Sequence, residues 1–320
     1  MRHEAIRLHD VTKRFDGVAA VDHLTLAVPE GSIYGFIGPN GSGKTTTLRI
    51  IMHILLPDEG TIEVLGSADT AAARDRVSYL PEERGLYKKM QVRRLLRYYG
   101  QLKGRTVAEL DPEIDDWMPR LGMQGWGDKK IETLSKGMSQ KVQFAAAVIT
   151  KPSLLILDEP FSGLDPVNAD ALRDAVLEMR RRGTTVVFST HDMGTAERMC
   201  DRIFMIFKGR KVLDGTLEDI QAEYGVDTVR VRTAGGAAAL AGLPGIEGVN
   251  DFGQIQEVRL TGDPQRFLQQ LASRSAVYHF EVTRPSLHDI FVRIAKPAGE
   301  NGVRGDEGVG VIGFQHGATK

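Results

Sequence analysis

The strands predicted for this chain fall into two groups, which differ in their pattern of hydrophobic residues. Near the N-terminus, apolar residues alternate with polar ones at residues 6–11 and 22–28, which is typical of half-buried antiparallel strands. Farther along, the apolar runs at residues 33–37 and 153–157 indicate strands buried on both faces of a mostly parallel sheet, and residues 184–190 are predicted to form another buried strand. Helical patterns separate these runs, so the sequence predicts an α/β fold.

The hydrophobic pattern also predicts how the chain is divided into domains. A mostly helical stretch follows residue 92, and we expect a helical subdomain over about residues 90–150 of a main domain at residues 1–222. Short strands and two helices after it predict a small α+β domain at residues 223–296. Residues 297–320 are rich in glycine and lack periodicity, which predicts a mobile tail.

Composition narrows the class of protein. The chain has 320 residues, 42% of them hydrophobic and 26% charged, as in a soluble protein with a sizeable core. A net charge of -1 gives no general attraction to nucleic acid. The single Cys200 excludes an internal disulfide framework. No run approaches the ~18–20 apolar residues that span a bilayer, so any membrane role is expected to come through a partner.

A glycine-rich segment between a predicted strand and a predicted helix carries the strongest chemical signal. It reads Gly38-Pro39-Asn40-Gly41-Ser42-Gly43-Lys44-Thr45, followed by Thr46. This spacing, in this context, predicts a phosphate-binding loop whose N–H groups and helix N-terminus face phosphate oxygens. Lys44 is expected to reach the β- and γ-phosphates, and the Thr45 hydroxyl to bind Mg²⁺. A chance match by an ordinary glycine turn is the alternative.

Polar residues also end two of the buried strands. Asp158 and Glu159 follow the apolar run at residues 153–157, and His191 follows the predicted strand at residues 184–190. Ligands bind at the carboxyl ends of strands in open α/β sheets. Asp158 is therefore a candidate Mg²⁺ partner beside Thr45, Glu159 a candidate acceptor for a proton from attacking water, and His191 a candidate γ-phosphate sensor. Solvated acids and a structural histidine are the alternatives.

Two other positions are ambiguous from the residues alone. Phe15 lies beside a turn between the first two strands, where it could stack on a base or pack at a strand end. Ser135 and Gly137 begin a helix and expose its N-terminus, which alone is an ordinary helix start.

Together these segments resemble the nucleotide-binding subunit of ATP-binding cassette (ABC) transporters. Six motifs occur in order: residues 38–45, Glu82 at the glutamine-loop position, the signature at residues 134–138, Asp158-Glu159, residues 162–165 and His191. The resemblance implies a P-loop NTPase cassette with an antiparallel β subdomain, a helical subdomain and the small C-terminal domain. It also implies ATP and Mg²⁺ as cofactors, and a head-to-tail dimer of cassettes.

The resemblance extends to the roles of individual residues. It implies adenine stacking by Phe15, γ-phosphate contacts from Ser135 and Gly137 of the opposite subunit, and a nucleotide contact for Asp165. Lys44, Glu82, Glu159 and His191 take catalytic roles, and Glu82 joins Thr45 and Asp158 as a metal ligand.

This sequence departs from the usual signature at Lys136 and Met138, and has Glu82 where the family has glutamine. Glutamate can still bind Mg²⁺, but it donates no hydrogen bond unless protonated.

The variants at residues 80–87 and 134–138 look most like those of ABC-2 export cassettes. That likeness implies a separate membrane-spanning permease, received by a surface with Arg84, Tyr87 and the arginines Arg93, Arg94 and Arg97. It places the subunit in the cytoplasm, on the inner face of the membrane. The hypothesis is an ATP-hydrolysing exporter motor.

Three other hypotheses remain. They are a soluble cassette ATPase acting on ribosomes or DNA, a P-loop GTPase or kinase, and a regulatory cassette that binds ATP without turnover. The sequence leaves open the cargo, and whether the working dimer is a homodimer or a pair of paralogues.

Overall fold

The computed structural model describes residues 3–68, 73–82, 85–225 and 228–295. Arg84 of the expected permease-facing surface and the expected tail at residues 297–320 lie outside the described residues. The strands are β1 (Glu4–Phe15), β2 (Val18–Pro29), β3 (Ile33–Ile37), β4 (Glu59–Val64), β5 (Val77–Leu80), β6 (Leu154–Asp158), β7 (Thr185–Thr190), β8 (Arg202–Phe207), β9 (Arg210–Gly215), β10 (Thr228–Thr233), β11 (Ile246–Asp251), β12 (Gln256–Leu260) and β13 (Val277–Thr283). The helices are α1 (Lys44–Ile51), α2 (Val92–Leu102), α3 (Val107–Arg120), α4 (Lys136–Val148), α5 (Pro166–Arg181), α6 (Met193–Met199), α7 (Leu217–Glu223), α8 (Pro264–Arg274) and α9 (Leu287–Ala295).

A six-stranded sheet forms the centre of the N-terminal domain, in the order β5-β6-β7-β3-β8-β9. The first five strands are parallel, and β9 is antiparallel to β8. Every residue of β3, β6 and β7 is buried, because helices and a second sheet cover the two faces. The expected mixed, mostly parallel sheet is confirmed.

The second sheet of this domain is antiparallel, in the order β2-β1-β4. Its apolar side chains, among them Ile6, Leu24 and Val28, share one core with Leu48 of α1 and Phe36 of β3. Alternation along β1 and β2 buries one face of this sheet and leaves the other to solvent, as the sequence pattern indicates. The expected antiparallel subdomain is thus present.

Helices α2, α3 and α4 pack together on the other face of the central sheet. Thr106 begins α3 with a capping box, because its side chain accepts from the Glu109 amide while Glu109 accepts from the Thr106 amide. In the described residues, no helix is both long and apolar enough to cross a bilayer.

Two of the arginines expected on an interaction surface join helices of the same chain. Arg97 donates to Asp111 of α3 at 2.7 and 2.8 Å, and Arg93 pairs with Asp115. Arg94 is exposed. Arg93 and Arg97 therefore connect α2 to α3, which leaves Arg94 as the exposed member of the three.

The C-terminal domain contains an antiparallel sheet in the order β11-β12-β10-β13. A short 3₁₀ helix at Gly236–Leu240 follows β10, and α8 connects β12 to β13. The apolar face, with Val229, Val231 and Val258, packs against Phe267 and Leu271 of α8. This strand order and connectivity are those of a ferredoxin-like split βαβ fold whose first helix is reduced to 3₁₀.

The last helix packs away from that sheet's core. Leu287 and Ile290 of α9 share a cluster with Ile37 of β3 and Ala196 of α6. The Leu287 amide also donates to Glu197 Oε1 at 2.6 Å. Although α9 follows the C-terminal sheet in sequence, its apolar face thus belongs to a core of the N-terminal domain.

Candidate active site

Residues 38–45 connect the end of β3 to the start of α1 in a compact loop. Gly41 and Gly43 have φ angles of 76° and 107°, which glycine adopts readily. A Cβ on Gly43 would collide with the Ala20 carbonyl, and one on Gly38 with the Ile206 carbonyl. The path of the loop therefore needs its glycines, and it leads to the positive end of the α1 dipole. The other predicted loop residues lie on the same stretch: Pro39, Asn40, Ser42 and, in the first turn of α1, Thr46.

Lys44, the first residue of α1, is buried and its side chain folds back over the loop. Its Nζ donates to the carbonyls of Gly38 at 2.8 Å and Pro39 at 3.2 Å, and lies 3.7 Å from Glu159 Oε1. Burial lowers the pKa of Lys44, while the charges of Glu159 and Asp158, and least that of Glu82, act to raise it. The Lys44 ammonium group is thus held at the loop, where phosphate oxygens could take the place of the Gly38 and Pro39 carbonyl oxygens as its hydrogen-bond acceptors.

Asp158 ends β6 beside the loop, with both carboxylate oxygens near hydroxyl groups. Thr45 Oγ1 donates to Asp158 Oδ1 at 3.2 Å, and Ser189 Oγ donates to the same oxygen at 2.5 Å. The Tyr79 hydroxyl lies 3.5 Å from Oδ2, and burial and the Asp158 charge raise its pKa to about 12. A hydroxyl and a carboxylate side by side are hard oxygen ligands of the kind that Mg²⁺ takes together with phosphates.

Glu159 is buried and has a φ angle of 47°, an unusual conformation for a residue other than glycine. Such a backbone costs roughly 1–3 kcal/mol, and the surrounding structure must hold it. The Glu159 amide donates to Ser189 Oγ at 2.9 Å, and His191 Nδ1 lies 3.1 Å from each carboxylate oxygen. The side chain is therefore fixed between a histidine on one side and Lys44 on the other.

The sheet brings these residues together. In the parallel register Asp158 pairs with Ser189 and Ile37 pairs with Thr190, so β3, β6 and β7 end at one level. We call the resulting group the catalytic edge: Lys44, Thr45, Asp158, Glu159 and His191. The structure thus places five of the residues predicted from sequence in one contiguous site.

Glu82 is exposed and follows β5, the edge strand beside β6. Its carboxylate influences Lys44 electrostatically. This places the charge of Glu82 close to the catalytic edge, while its role as a metal ligand stays a prediction.

Phe15 ends β1, with 45% of its surface exposed and Lys13 Nζ 5.7 Å from its ring centroid. Lys13 is itself held by Asp58 at 2.8 Å. An exposed ring at a fixed strand end is suited to stacking, and the assignment to adenine stays a prediction.

The signature residues lie at the N-termini of α4 and α5. Ser135 caps α4 by accepting from the Met138 amide at 3.2 Å. Asp165 caps α5 by accepting from the Asn168 amide at 3.0 Å, a bond that lowers the pKa of Asp165. A Cβ on Gly137 would lie 2.8 Å from Asn168 Nδ2, so the N-termini of α4 and α5 adjoin. We call Ser135, Gly137 and Asp165 the signature face.

Comparisons with known proteins agree with this geometry. A family model described as ABC transporter matches residues 21–162, and one described as ATP-binding protein DrrA1-3-like, C-terminal domain, matches residues 215–295. The uncharacterized ABC transporter ATP-binding protein YhaQ of Bacillus subtilis (strain 168) is 38% identical over 289 residues, covering 90% of this chain and 97% of that protein. The chain belongs to the ABC transporter ATP-binding proteins.

A second relative and a solved structure resemble this chain over more than two thirds of its length. The daunorubicin resistance ATP-binding protein DrrA3 of Streptomyces coeruleorubidus is 34% identical over 254 residues, covering 78% of this chain and 80% of that protein. A solved structure titled as the ATP binding subunit of an ABC transporter matches with a TM-score of 0.65 and 30% identity, covering 69% of this chain and 93% of that one. The N-terminal domain is therefore an ABC ATPase domain, which binds ATP, and the resemblance inferred from sequence is confirmed.

Sequence reasoning missed two residues that support this ABC site. Ser189 contacts both Asp158 and the Glu159 amide, and Gln140 of α4 donates its side-chain amide to the Pro160 carbonyl behind Glu159. Ser189 had no distinctive signal, because Thr185 and Thr190 are polar residues of the same buried strand. Gln140 lay in an ordinary helix pattern and had none.

Proposed function

We propose that this chain is the ATP-binding and ATP-hydrolysing motor subunit of a membrane exporter. In this proposal, ATP-driven dimerisation of two such subunits moves a separate permease, and the subunit works in the cytoplasm at the inner face of the membrane. The catalytic edge carries the proposal, because it unites a phosphate loop, a metal-binding carboxylate and a buried glutamate held by a histidine. The Nod factor export ATP-binding protein I of Sinorhizobium fredii, which is 31% identical to this chain over 300 residues, supports a role in export.

Binding begins at the loop. Phosphate oxygens of ATP would take over the Lys44 ammonium from the carbonyls of Gly38 and Pro39, while loop amides and the α1 N-terminus add donors. Thr45 and Asp158 would hold Mg²⁺, which offsets phosphate charge when bound. In this family of reactions positioning and electrostatics supply most of the rate enhancement.

Glu159 is the proposed proton acceptor for the attacking water. Its carboxylate lies between Lys44 and His191, and the Ser189 hydroxyl fixes its backbone. His191 Nδ1 would keep the carboxylate oriented, and its exposed ring would reach toward the γ-phosphate. These residues orient the water in line with the phosphorus atom.

The signature face would complete the site of a second subunit. The α4 N-terminus beyond Ser135 supplies amide donors and a positive dipole, and the absence of a side chain at Gly137 lets Asn168 of the same chain pack beside it. This supports a head-to-tail dimer, with either a second copy or a paralogue, in which each ATP contacts one catalytic edge and the opposite signature face.

The proposed permease-facing surface is an aromatic cluster formed by Tyr98 and Tyr99 of α2 and by Tyr87 before it. The ring centroids of Tyr87, Tyr98 and Tyr99 lie 5.7–6.4 Å apart, and Tyr87 is 54% exposed. Exposed tyrosines commonly anchor protein interfaces. Arg94 is exposed on the same helix.

The deciding experiment is purification of the chain, from detergent-solubilised native membranes, with the proteins that bind it. We expect a multi-spanning permease, and we expect its removal to lower ATPase activity. Tyr87→Ala should weaken this association, whereas Ile54→Ala, which removes an exposed apolar residue elsewhere, should leave it intact. Recovery of ribosomes or DNA with no membrane protein would contradict the exporter role.

A further inference from the structure

Helix α4 carries a buried glutamine that reaches the residue after Glu159. Gln140 is 2% exposed, and its Nε2 donates to the Pro160 carbonyl. A carbonyl oxygen only accepts hydrogen bonds, so the nitrogen of the Gln140 amide must be the atom that faces Pro160. The Oε1 of Gln140 has no hydrogen-bond partner in the part of the chain that the structure describes. The polar contact of this side chain is therefore directed to Pro160 alone.

Three hydrogen bonds hold the turn that carries Glu159, which has the unusual φ angle of 47°. A backbone of this kind persists only where surrounding contacts fix it. The Glu159 amide donates to Ser189 Oγ of β7 at 2.9 Å, and the Glu159 carbonyl accepts from the Ser162 amide at 3.2 Å. The third bond is that of Gln140 to the next carbonyl along the chain. Of these three bonds, the first comes from the central sheet, the second from the turn itself and the third from α4.

The first turn of α4 lies against the continuation of the same turn, and we call residues 159–164 the glutamate segment. A Cβ on Gly163 would lie 3.0 Å from Lys136 Nζ, and a Cβ on Gly137 would lie 3.3 Å from Leu164 Cδ2. The first two residues of α4 and its fifth residue thus adjoin one short segment. A displacement of α4 therefore displaces the glutamate segment as well.

The same helix begins at the signature face. Ser135 caps α4 and precedes Gln140 by five residues, which span about 7.5 Å of helix. A hydrogen-bonded helix moves as a rigid element, and rigid elements carry energetic coupling between sites. One helix thus has the proposed contact for a second subunit's ATP at its N-terminus and the contact to Pro160 farther along.

We propose that Gln140 is a positioning residue, through which α4 sets the backbone of Glu159 and so the placement of its carboxylate beside the attacking water. The inference rests on the proposed ATPase function and deepens it. In a dimer, ATP at the signature face of one chain steadies α4 of that chain, and Gln140 transmits this to the Glu159 of the same chain. Each ATP site then responds to nucleotide in the other.

Gln140→Met tests the proposal, because it keeps the length of the side chain and removes the amide donor. We expect kcat to fall about tenfold while KM and the dissociation constant for ATP stay within about twofold of wild type, since Glu159 shifts and the phosphate loop does not. Gln143→Met is the matched control and should keep full kcat. Gln143 is buried on the same helix, and its Oε1 likewise has no hydrogen-bond partner within the described residues. Equal kcat values in the two variants would overturn the proposal.

Hydrogen exchange follows the glutamate segment without relying on activity. In Gln140→Met, peptides that cover residues 159–164 should exchange several-fold faster than in wild type or Gln143→Met, while peptides of the phosphate loop should exchange at the wild-type rate. This pattern would show that the variant is folded and loosened at one place. Faster exchange throughout the chain, or none in the glutamate segment, would overturn the assigned role.

A double-mutant cycle with Ser135→Ala tests the connection along α4. Ser135→Ala should lower turnover in the wild-type background and in Gln143→Met, and it should have a smaller effect in Gln140→Met, where the connection to Glu159 is already lost. Losses that simply multiply would overturn the connection. If the wild-type chain hydrolyses ATP and Gln140→Met does so equally fast, this inference alone fails. A wild-type chain without turnover would overturn the proposed function and this inference with it.

Discussion

The catalytic edge and the signature face are built in opposite ways. The residues of the catalytic edge come from separate segments of the chain and contact one another, from Lys44 and Glu159 to Thr45 and Asp158. The side chains of Ser135 and Asp165 form local bonds that begin their own helices. The residues of the catalytic edge thus hold one another in place, while those of the signature face are held only by the caps of their own helices. The contrast teaches that long-range contacts preorganise the catalytic edge, whereas the proposed role of the signature face in a second subunit's site rests on its helix N-termini.

The largest expected effect tests the completeness of the catalytic edge. Glu159→Gln keeps the shape of the side chain but removes the proton acceptor, so turnover should fall about 10²- to 10⁴-fold. The variant should still bind ATP, and because it does not hydrolyse the ATP, the ATP-bound dimer should accumulate. Phosphate release and sedimentation with ATP measure the two effects. Glu63→Gln, on the exposed face of β4, is the matched control, and normal hydrolysis by Glu159→Gln would rule out the assigned role.

Lys44→Ala should weaken nucleotide binding itself. Loss of a charged hydrogen bond to phosphate predicts a dissociation constant for ATP about 10- to 100-fold higher, measured by calorimetry. Lys130→Ala is the control, because Lys130 is exposed and its ion-pair partner is Glu132. Unchanged affinity in Lys44→Ala would contradict the geometry of the phosphate loop.

Ser189→Ala tests whether the catalytic edge depends on a support that touches no substrate. The variant leaves the buried Glu159 amide without its acceptor, so the free energy of unfolding should fall by roughly 1–3 kcal/mol and turnover several-fold. Urea titration and phosphate release measure these changes. Thr184→Val removes a buried hydroxyl bonded to Pro152 before the start of the same strand, and should affect stability alone. Equal losses of turnover would show that Ser189 has no special position.

Ser135→Ala gives the smallest expected effect and tests whether the signature face does more than begin its own helices. As a helix cap, Ser135 contributes about 0.5–2 kcal/mol to stability. If the signature face also contacts nucleotide across a dimer, turnover should fall while ATP affinity of the single chain stays the same. Thr216→Ala removes the equivalent cap of α7 and should leave turnover unchanged. Similar turnover in both variants would mean that Ser135 acts as a cap only.

Much of the site could be predicted because its chemistry lies in short segments. The loop at residues 38–45 and the polar residues after β6 and β7 stand out against apolar runs. Ser189 shows where such reasoning ends, because its two partners are 30 and 31 residues away along the chain. The left-handed backbone of Glu159 has no sequence signal either, because it is imposed by the surrounding structure.

The sequence by itself determined many of the elements and the chemistry at the strand ends, since periodicity and turn residues are local properties, but it predicted neither α6 nor the strands β8 and β9. Only the tertiary structure decided what each apolar face contacts. The apolar stripe of α9 predicts burial, yet it does not say that Leu287 packs beside Ile37 rather than against the C-terminal sheet. Likewise, Arg93 and Arg97 of α2 turn toward α3 because carboxylates lie there. A hydrophobic or charged face indicates that an element packs against another part of the chain, but only long-range packing determines which part that is.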